Sequence, residues 1–207
     1  MIKKNGFTLA EALTALAIIG VVATICLPQV VTNTSEKQSV VAFKKAINTL
    51  SEAGEWCKQL EGFDYASLDD TNTLEALLRK RTAIDNISTI TIQENNKDIK
   101  TTTITFKDGT TLYYKPSDTI KSDSANPAEI DEDGLPKGFQ AILDINGKRG
   151  PNLISNCNGT KTGDSTGLTN DGSCTTSNLI IQDKYLIRFR GTKVVPDNNA
   201  GRWVLVN

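Results

Sequence analysis

The chain has 207 residues, a formal net charge of -1, 38% hydrophobic and 23% charged residues, and no histidine. Its hydrophobic content favours folding over disorder, and its balanced charge offers no clustered basic face for nucleic acid. The missing histidine removes Ser/His and Cys/His dyads and histidine-rich zinc sites, and the four cysteines (Cys26, Cys57, Cys157, Cys174) form no CxxC pair, so the composition argues against an enzyme.

Residues 1–6 read MIKKNG, a short basic leader carrying Lys3 and Lys4. From Ala12 to Ser35 there are 24 consecutive residues without a charge. As a helix this run spans about 36 Å, enough to cross a bilayer core. The lysines before it, with nothing basic until Lys37, place the N-terminus in the cytoplasm and the bulk of the chain outside. An ordinary cleaved signal peptide fits less well, because the run is long and Val22-Ala23-Thr24 is a poor cleavage pattern. Neither a plain anchor nor a signal peptide accounts for Glu11. A charge within an apolar span costs about 2.5 kcal/mol or more, so it is read first as functional, with a partner that neutralises it.

The hexapeptide Gly6-Phe7-Thr8-Leu9-Ala10-Glu11, with the basic leader before it and the apolar run and Pro28 after it, resembles the processing site of type IV prepilins and type II secretion pseudopilins. The resemblance covers about 30 residues. It implies that a prepilin peptidase removes residues 1–6 by cutting between Gly6 and Phe7, that Phe7 is then N-methylated, and that Glu11 is the family's Glu at the fifth position after the cut. Pro28 sits where many of these helices bend or locally melt, as an interior proline favours. The implied partners are other pilin subunits, the peptidase, an inner-membrane assembly platform and, before assembly, membrane lipid; no nucleic acid is expected. The new α-amine of Phe7 on one subunit would pair with Glu11 of another in an apolar surround, where pairing is strong and its absence costly. Glu11 would then set register, as a single buried polar residue does in a coiled coil.

Beyond Pro28 the helix is expected to continue to about Leu60. Val40, Phe43, Ile47, Leu50, Gly54 and Cys57 form one apolar stripe among Lys44, Lys45, Asn48, Glu52, Glu55 and Lys58. Such a stripe is usually core, so this half should lie against a sheet. A short helix is expected over 72–81, capped near Asp70 or Thr71. Strands follow at 87–92, 101–106 and 111–115, with Asp108-Gly109 as a hairpin turn. Alternation marks further strands around Phe139–Ile145 and Tyr185–Phe189, and Trp203–Val206 reads as a last one. The fold class is therefore α+β: a long N-terminal helix, hydrophobic then amphipathic, packed on an antiparallel sheet, as the resemblance also implies. The domains are read as 1–6 leader, 7–31 anchor, 32–60 amphipathic helix and 61–207 β-rich head.

Cys157 and Cys174 bracket 16 mostly polar residues containing four glycines. Such a loop has no core of its own, and a disulfide worth about 3 kcal/mol would close it in an oxidising exterior, as many pilins close a C-terminal loop. Cys57 on the helical stripe is an unpaired core thiol or the competing partner; Cys26 reads as a small apolar residue of the anchor. Asp144-Ile145-Asn146-Gly147 resembles part of a calcium loop, and some secretion pseudopilins bind calcium in such a place. The closing Glu is missing and Lys148 and Arg149 intrude, so a turn with Asp144 bonding backbone amides is the preferred reading, and no cofactor is expected. The acidic run Glu129, Asp131, Glu132 and Asp133 reads as a solvated loop. Arg188 and Arg190 are expected to face solvent or a neighbouring subunit.

The expected function is thus a structural subunit of a type IV pilus-like filament, held in a bacterial inner membrane with its head outside the cytoplasm before assembly into a periplasmic or surface filament. The size of the head leans toward a minor subunit. The alternative is a membrane-tethered extracytoplasmic binding protein that uses the N-terminal helix only as an anchor.

Overall fold

The computed structural model describes residues 8–69, 71–94, 97–116, 138–147, 149–159 and 172–206, with only the backbone of residues 27–33, 92–94 and 97–99. It contains two compact units, Met1–Gln38 and Ser39–Asn207, and the division falls inside one helix. That helix, α1, runs from Leu9 to Glu61. Its backbone stays helical through Pro28, where bending or local melting was expected. A proline removes one N–H and crowds one carbonyl, but neighbouring turns can carry the ladder past it. α1 ends at Gly62, whose φ of 81° reverses the chain while its N–H closes on Lys58 O at 3.2 Å.

In the second unit the apolar stripe of α1 is buried: Phe43, Ile47, Leu50, Ala53 and Cys57 belong to the main core. They meet a six-stranded antiparallel sheet whose spatial order follows the chain, β1 (Ile84–Glu94), β2 (Lys97–Phe106), β3 (Thr111–Tyr114), β4 (Phe139–Asp144), β5 (Lys184–Arg190) and β6 (Lys193–Pro196). The architecture is α+β. Alternation decides which side chains face the helix. Ile104, Leu112, Tyr114, Phe139, Ala141, Leu143, Tyr185, Ile187 and Phe189 point to one face and are buried there. Aromatic rings link the sheet strands to one another and to α1 and the loop after it. Phe43 stacks on Tyr185 at 3.9 Å between centroids, Phe139 on Phe189 at 4.7 Å, and Tyr65 meets Phe189 edge-on at 4.7 Å. The Tyr65 hydroxyl donates to Leu50 O at 2.6 Å, so its polar tip is satisfied inside the core.

The short helix α2 covers Leu74–Arg79 and buries Leu74, Leu77 and Leu78. Its N-cap is Thr73, whose side chain accepts from Ala76 N–H, not the expected Asp70 or Thr71. Asp69 instead folds back on the chain, accepting from Thr71 and Asn72 N–H at 2.8 and 2.6 Å, which delays the helix. The Asp108-Gly109 hairpin forms as read: Phe106 N–H donates to Thr110 O (2.8 Å) and Gly109 N–H to Phe106 O (3.0 Å). The expected strand at Trp203–Val206 is a helix. α3 spans Asn199–Val206, with Gly201 N–H held by Asn198 Oδ1 at 3.0 Å and with Ala200, Gly201 and Val204 buried. A four-residue apolar run has no period of its own, and the Asn198 cap upstream decides for helix.

Candidate functional site

Thr8 stands at the mouth of α1 and closes a reciprocal cap with Glu11. Its N–H donates to Glu11 Oε2 at 2.9 Å, while its Oγ1 accepts from Glu11 N–H at 3.3 Å. This is a capping box, spelled Thr-x-x-Glu in the sequence, and it satisfies two of the helix's orphan donors. The acidic side chain also lies in the first turn, where the helix dipole favours it. The other carboxylate oxygen, Oε1, accepts nothing among the described residues. The charge of Glu11 stands out in the sequence, whereas the Thr8 half of the box has only the Thr-x-x-Glu spacing as its signal.

Downstream of this cap, Leu9–Cys26 is long and apolar enough to cross a membrane, and none of it is buried within the chain. Leu9, Leu13, Leu16, Ile18, Ile19, Val21, Val22 and Ile25 are each more than half exposed. Such a surface is stable only in lipid or against other apolar chains. The hydroxyls in this stretch turn inward to the helix: Thr14 Oγ1 donates to Ala10 O and Thr24 Oγ1 to Val21 O (2.8 Å), so neither carries an unmet donor into an apolar medium. Gly6 and Phe7 lie outside the described residues, and of Pro28 only the helical backbone is described.

The remaining site residues follow β4 in the chain, at the turn after Asp144 and in the segment beyond it. Cys157 and Cys174 are joined in a disulfide, Cα to Cα 5.1 Å, while Cys26 and Cys57 are free. Cys57 is buried on the α1 stripe, facing Leu77 O at 3.9 Å, and burial pushes its thiol up. Asp144 is wholly buried and accepts from Asn146 N–H at 3.2 Å, the turn geometry expected of it. The Asn152 amide faces two acceptors, Asp144 Oδ2 and Gly147 O, each at 3.0 Å, which assigns its inward atom as the nitrogen, donating to both. Burial pushes the Asp144 carboxyl up to about 6; the Asn146 N–H holds it back and Asp183 adds to the rise. Asp183 in turn accepts from Asn152 and Leu153 N–H at 2.7 and 2.9 Å. No group of three or more His, Cys, Asp or Glu side chains converges in a metal-holding arrangement among the described residues. The acidic run at 129–133 lies outside them.

These bonds seat the segment Leu153–Cys157 on the sheet face opposite α1, where Ile154 covers Leu186 and Ile142 in a second small core. Arg188, expected to face solvent or a neighbouring subunit, is partly exposed and also tied within the chain. Its Nε and Nη2 grip Asp197 Oδ1 and Oδ2 at 2.9 and 2.7 Å, and Gln140 donates to the same carboxylate at 2.7 Å. Asp197 is only nine positions away, but the pairing becomes visible only once β6 is recognised as a strand.

A long helix with an exposed apolar first half, one carboxylate in its first turn and a helix-on-sheet head define a pilin-like architecture. The family model of the prokaryotic N-terminal methylation motif matches residues 1–27. The chain therefore carries the prepilin signature of type IV pilins and pseudopilins. No curated protein and no solved structure matches the chain.

Proposed function

We propose that the chain is a non-catalytic structural subunit of a type IV pilus-like filament. A prepilin peptidase cuts between Gly6 and Phe7, Phe7 is methylated, and the subunit waits in the inner membrane with its head outside until an assembly platform draws α1 into a bundle with other pilin subunits. The observation that carries this reading is the methylation motif leading into an exposed apolar helix with Glu11 in its first turn. Glu11 Oε1 is left to accept the Phe7 amine of a neighbour while Oε2 keeps the cap. The subunit needs no resident cofactor in this reading; Asp144 and Asn146 serve the turn.

One observation favours the anchor-only alternative. The capping box gives Glu11 a role inside a single chain, so its presence does not by itself require a neighbour. Glu11→Gln separates the two, because glutamine also completes a capping box but carries no charge. Mass spectrometry of the mature N-terminus should find N-methylated Phe7, and Glu11→Gln subunits should reach the membrane yet enter filaments about tenfold less well or worse. A mature chain still beginning at Met1 would overturn the filament reading and leave the tethered protein, whereas normal incorporation of the glutamine variant would overturn the pairing of Glu11 with a neighbour's Phe7 amine.

A further inference from the structure

Between α1, the sheet and the stretch that follows α2 lies a cavity that the filament reading does not use. It holds about 190 Å³, and its floor is apolar: Ala46 and Leu50 of α1, Phe106 of β2 and Leu143 of β4. Arg81 and Asp108 also line it, and both are exposed, so they mark its mouth. Sites for drug-sized ligands run to about 300–1,000 Å³, whereas an apolar cavity of about 150 Å³ holds one benzene. The space therefore suits a single ring or one branched side chain.

The charges around the mouth are matched with one exception. Lys45 lies 3.8 Å from Asp108, Lys58 lies 3.1 Å from Asp64, and Lys80 pairs with Glu61. Asp108 also accepts from Thr110 N–H at 3.0 Å. Arg81 has no carboxylate partner among the described residues. Its guanidinium sits over the Trp56 ring instead, 5.2 Å from the centroid, and Trp56 is 51% exposed. An arginine held in this way still offers its planar N–H fork to a carboxylate. Leu60, one turn beyond Trp56 on α1, is 60% exposed and continues the apolar surface. Tryptophan and arginine beside a pocket are the combination on which protein-binding energy concentrates.

We propose that this is a docking site for a protein partner that inserts one aromatic or branched apolar side chain into the cavity and sets a neighbouring carboxylate on Arg81. The volume selects a side chain over a larger metabolite, and the unmatched guanidinium selects an acidic flank. Trp56 and Leu60 give the partner's adjoining residues apolar surface to cover. The lining residues all belong to the Ser39–Asn207 unit, so the site stands whether or not the bond after Gly6 is cut.

Blocked tripeptides titrated onto the full chain in lipid nanodiscs test it. The probe is acetyl-Glu-Phe-Glu-amide, and the readout is the indole N–H resonance of Trp56, told from that of Trp203 by its loss in Trp56→Phe. The shift should saturate with a Kd of about 1 mM, as befits one anchor and one ion pair. Peptides with glutamine in place of glutamate, or alanine in place of phenylalanine, should each bind about tenfold more weakly. Arg81→Gln should abolish the preference for glutamate, and Ala46→Phe, which fills the cavity, should abolish the preference for phenylalanine. Arg81 is exposed, so its variant is expected to fold even if Ala46→Phe does not, and an unchanged unfolding midpoint checks this. The proposal is overturned by no saturable shift up to about 10 mM peptide, or by an Arg81→Gln chain that still prefers glutamate. Tighter binding of octanoate than of the peptide would overturn it too, in favour of a lipid site.

Discussion

Asp144 is a carboxylate at the end of β4 with no solvent and no ion pair among the described residues. The turn needs its oxygens for the Asn146 N–H and the Asn152 amide, yet it does not need the charge. With its folded-state value raised to about 6, above the usual carboxylate near 3.9, the protonated form is the one the fold prefers. The stabilising contribution is therefore complete below about pH 4 and is lost as pH rises through about 6. The urea midpoint of the protein should fall across that window, and Asp144→Asn should flatten this fall because it keeps a carbonyl acceptor and removes the ionisation. Parallel midpoint curves for the two proteins between about pH 4 and pH 8 would show that Asp144 does not govern the effect.

Gly54 shows how one helical position sets the distance between elements. In an isolated helix, Gly→Ala gains about 1 kcal/mol. Here a Cβ on Gly54 would come within 2.5 Å of both Thr192 O and the Tyr65 ring, so α1 lies too close to the β5–β6 turn for a methyl group. Gly54→Ala should lower stability by about 1–3 kcal/mol, against the propensity, as overpacking does. A raised denaturant midpoint would refute the close approach. Gly54 was legible as a member of the apolar stripe, but its neighbours were not, since Thr192 lies far along the chain. The same division between local and distant signals runs through the other elements. α1, the β2–β3 hairpin and the β4 and β5 strands announce themselves by period or by turn residues, and all are present. β6 is four residues ending in Pro196, too short for alternation to register, and α3 depends on a cap supplied by Asn198. The segment over Leu186 is held by single bridges, Ile154 to Lys184 and Asn156 to Ile180, whose partners no local pattern names. The candidate N-terminal site is the opposite case. Its signal is contiguous in sequence, so it could be read whole, apart from the Thr8 half of the capping box.

At the scale of the molecule, two requirements on solvent are written into one chain. The core begins at Phe43, within the Ser39–Asn207 unit, and gathers its members from there to Val204. Residues 9–26 contribute nothing to that core and expose their large apolar side chains. Burying each such side chain is worth about 1.5–3 kcal/mol, so this stretch has a strong preference for lipid or a helical bundle that the head does not share. Cutting the chain where the units divide should therefore separate the two requirements. Residues 39–207 should fold without detergent, unfold cooperatively, and melt within about 5 °C of the full chain held in micelles. The full chain without detergent should self-associate through residues 9–26, and Leu16→Asp with Ile19→Asp should relieve this without moving the melting temperature of the head. A fragment that lacks a cooperative transition would mean that the first part of α1 supports the head directly. The apolar first half of α1 would then be part of the head's fold as well as the stretch that seeks an apolar surround.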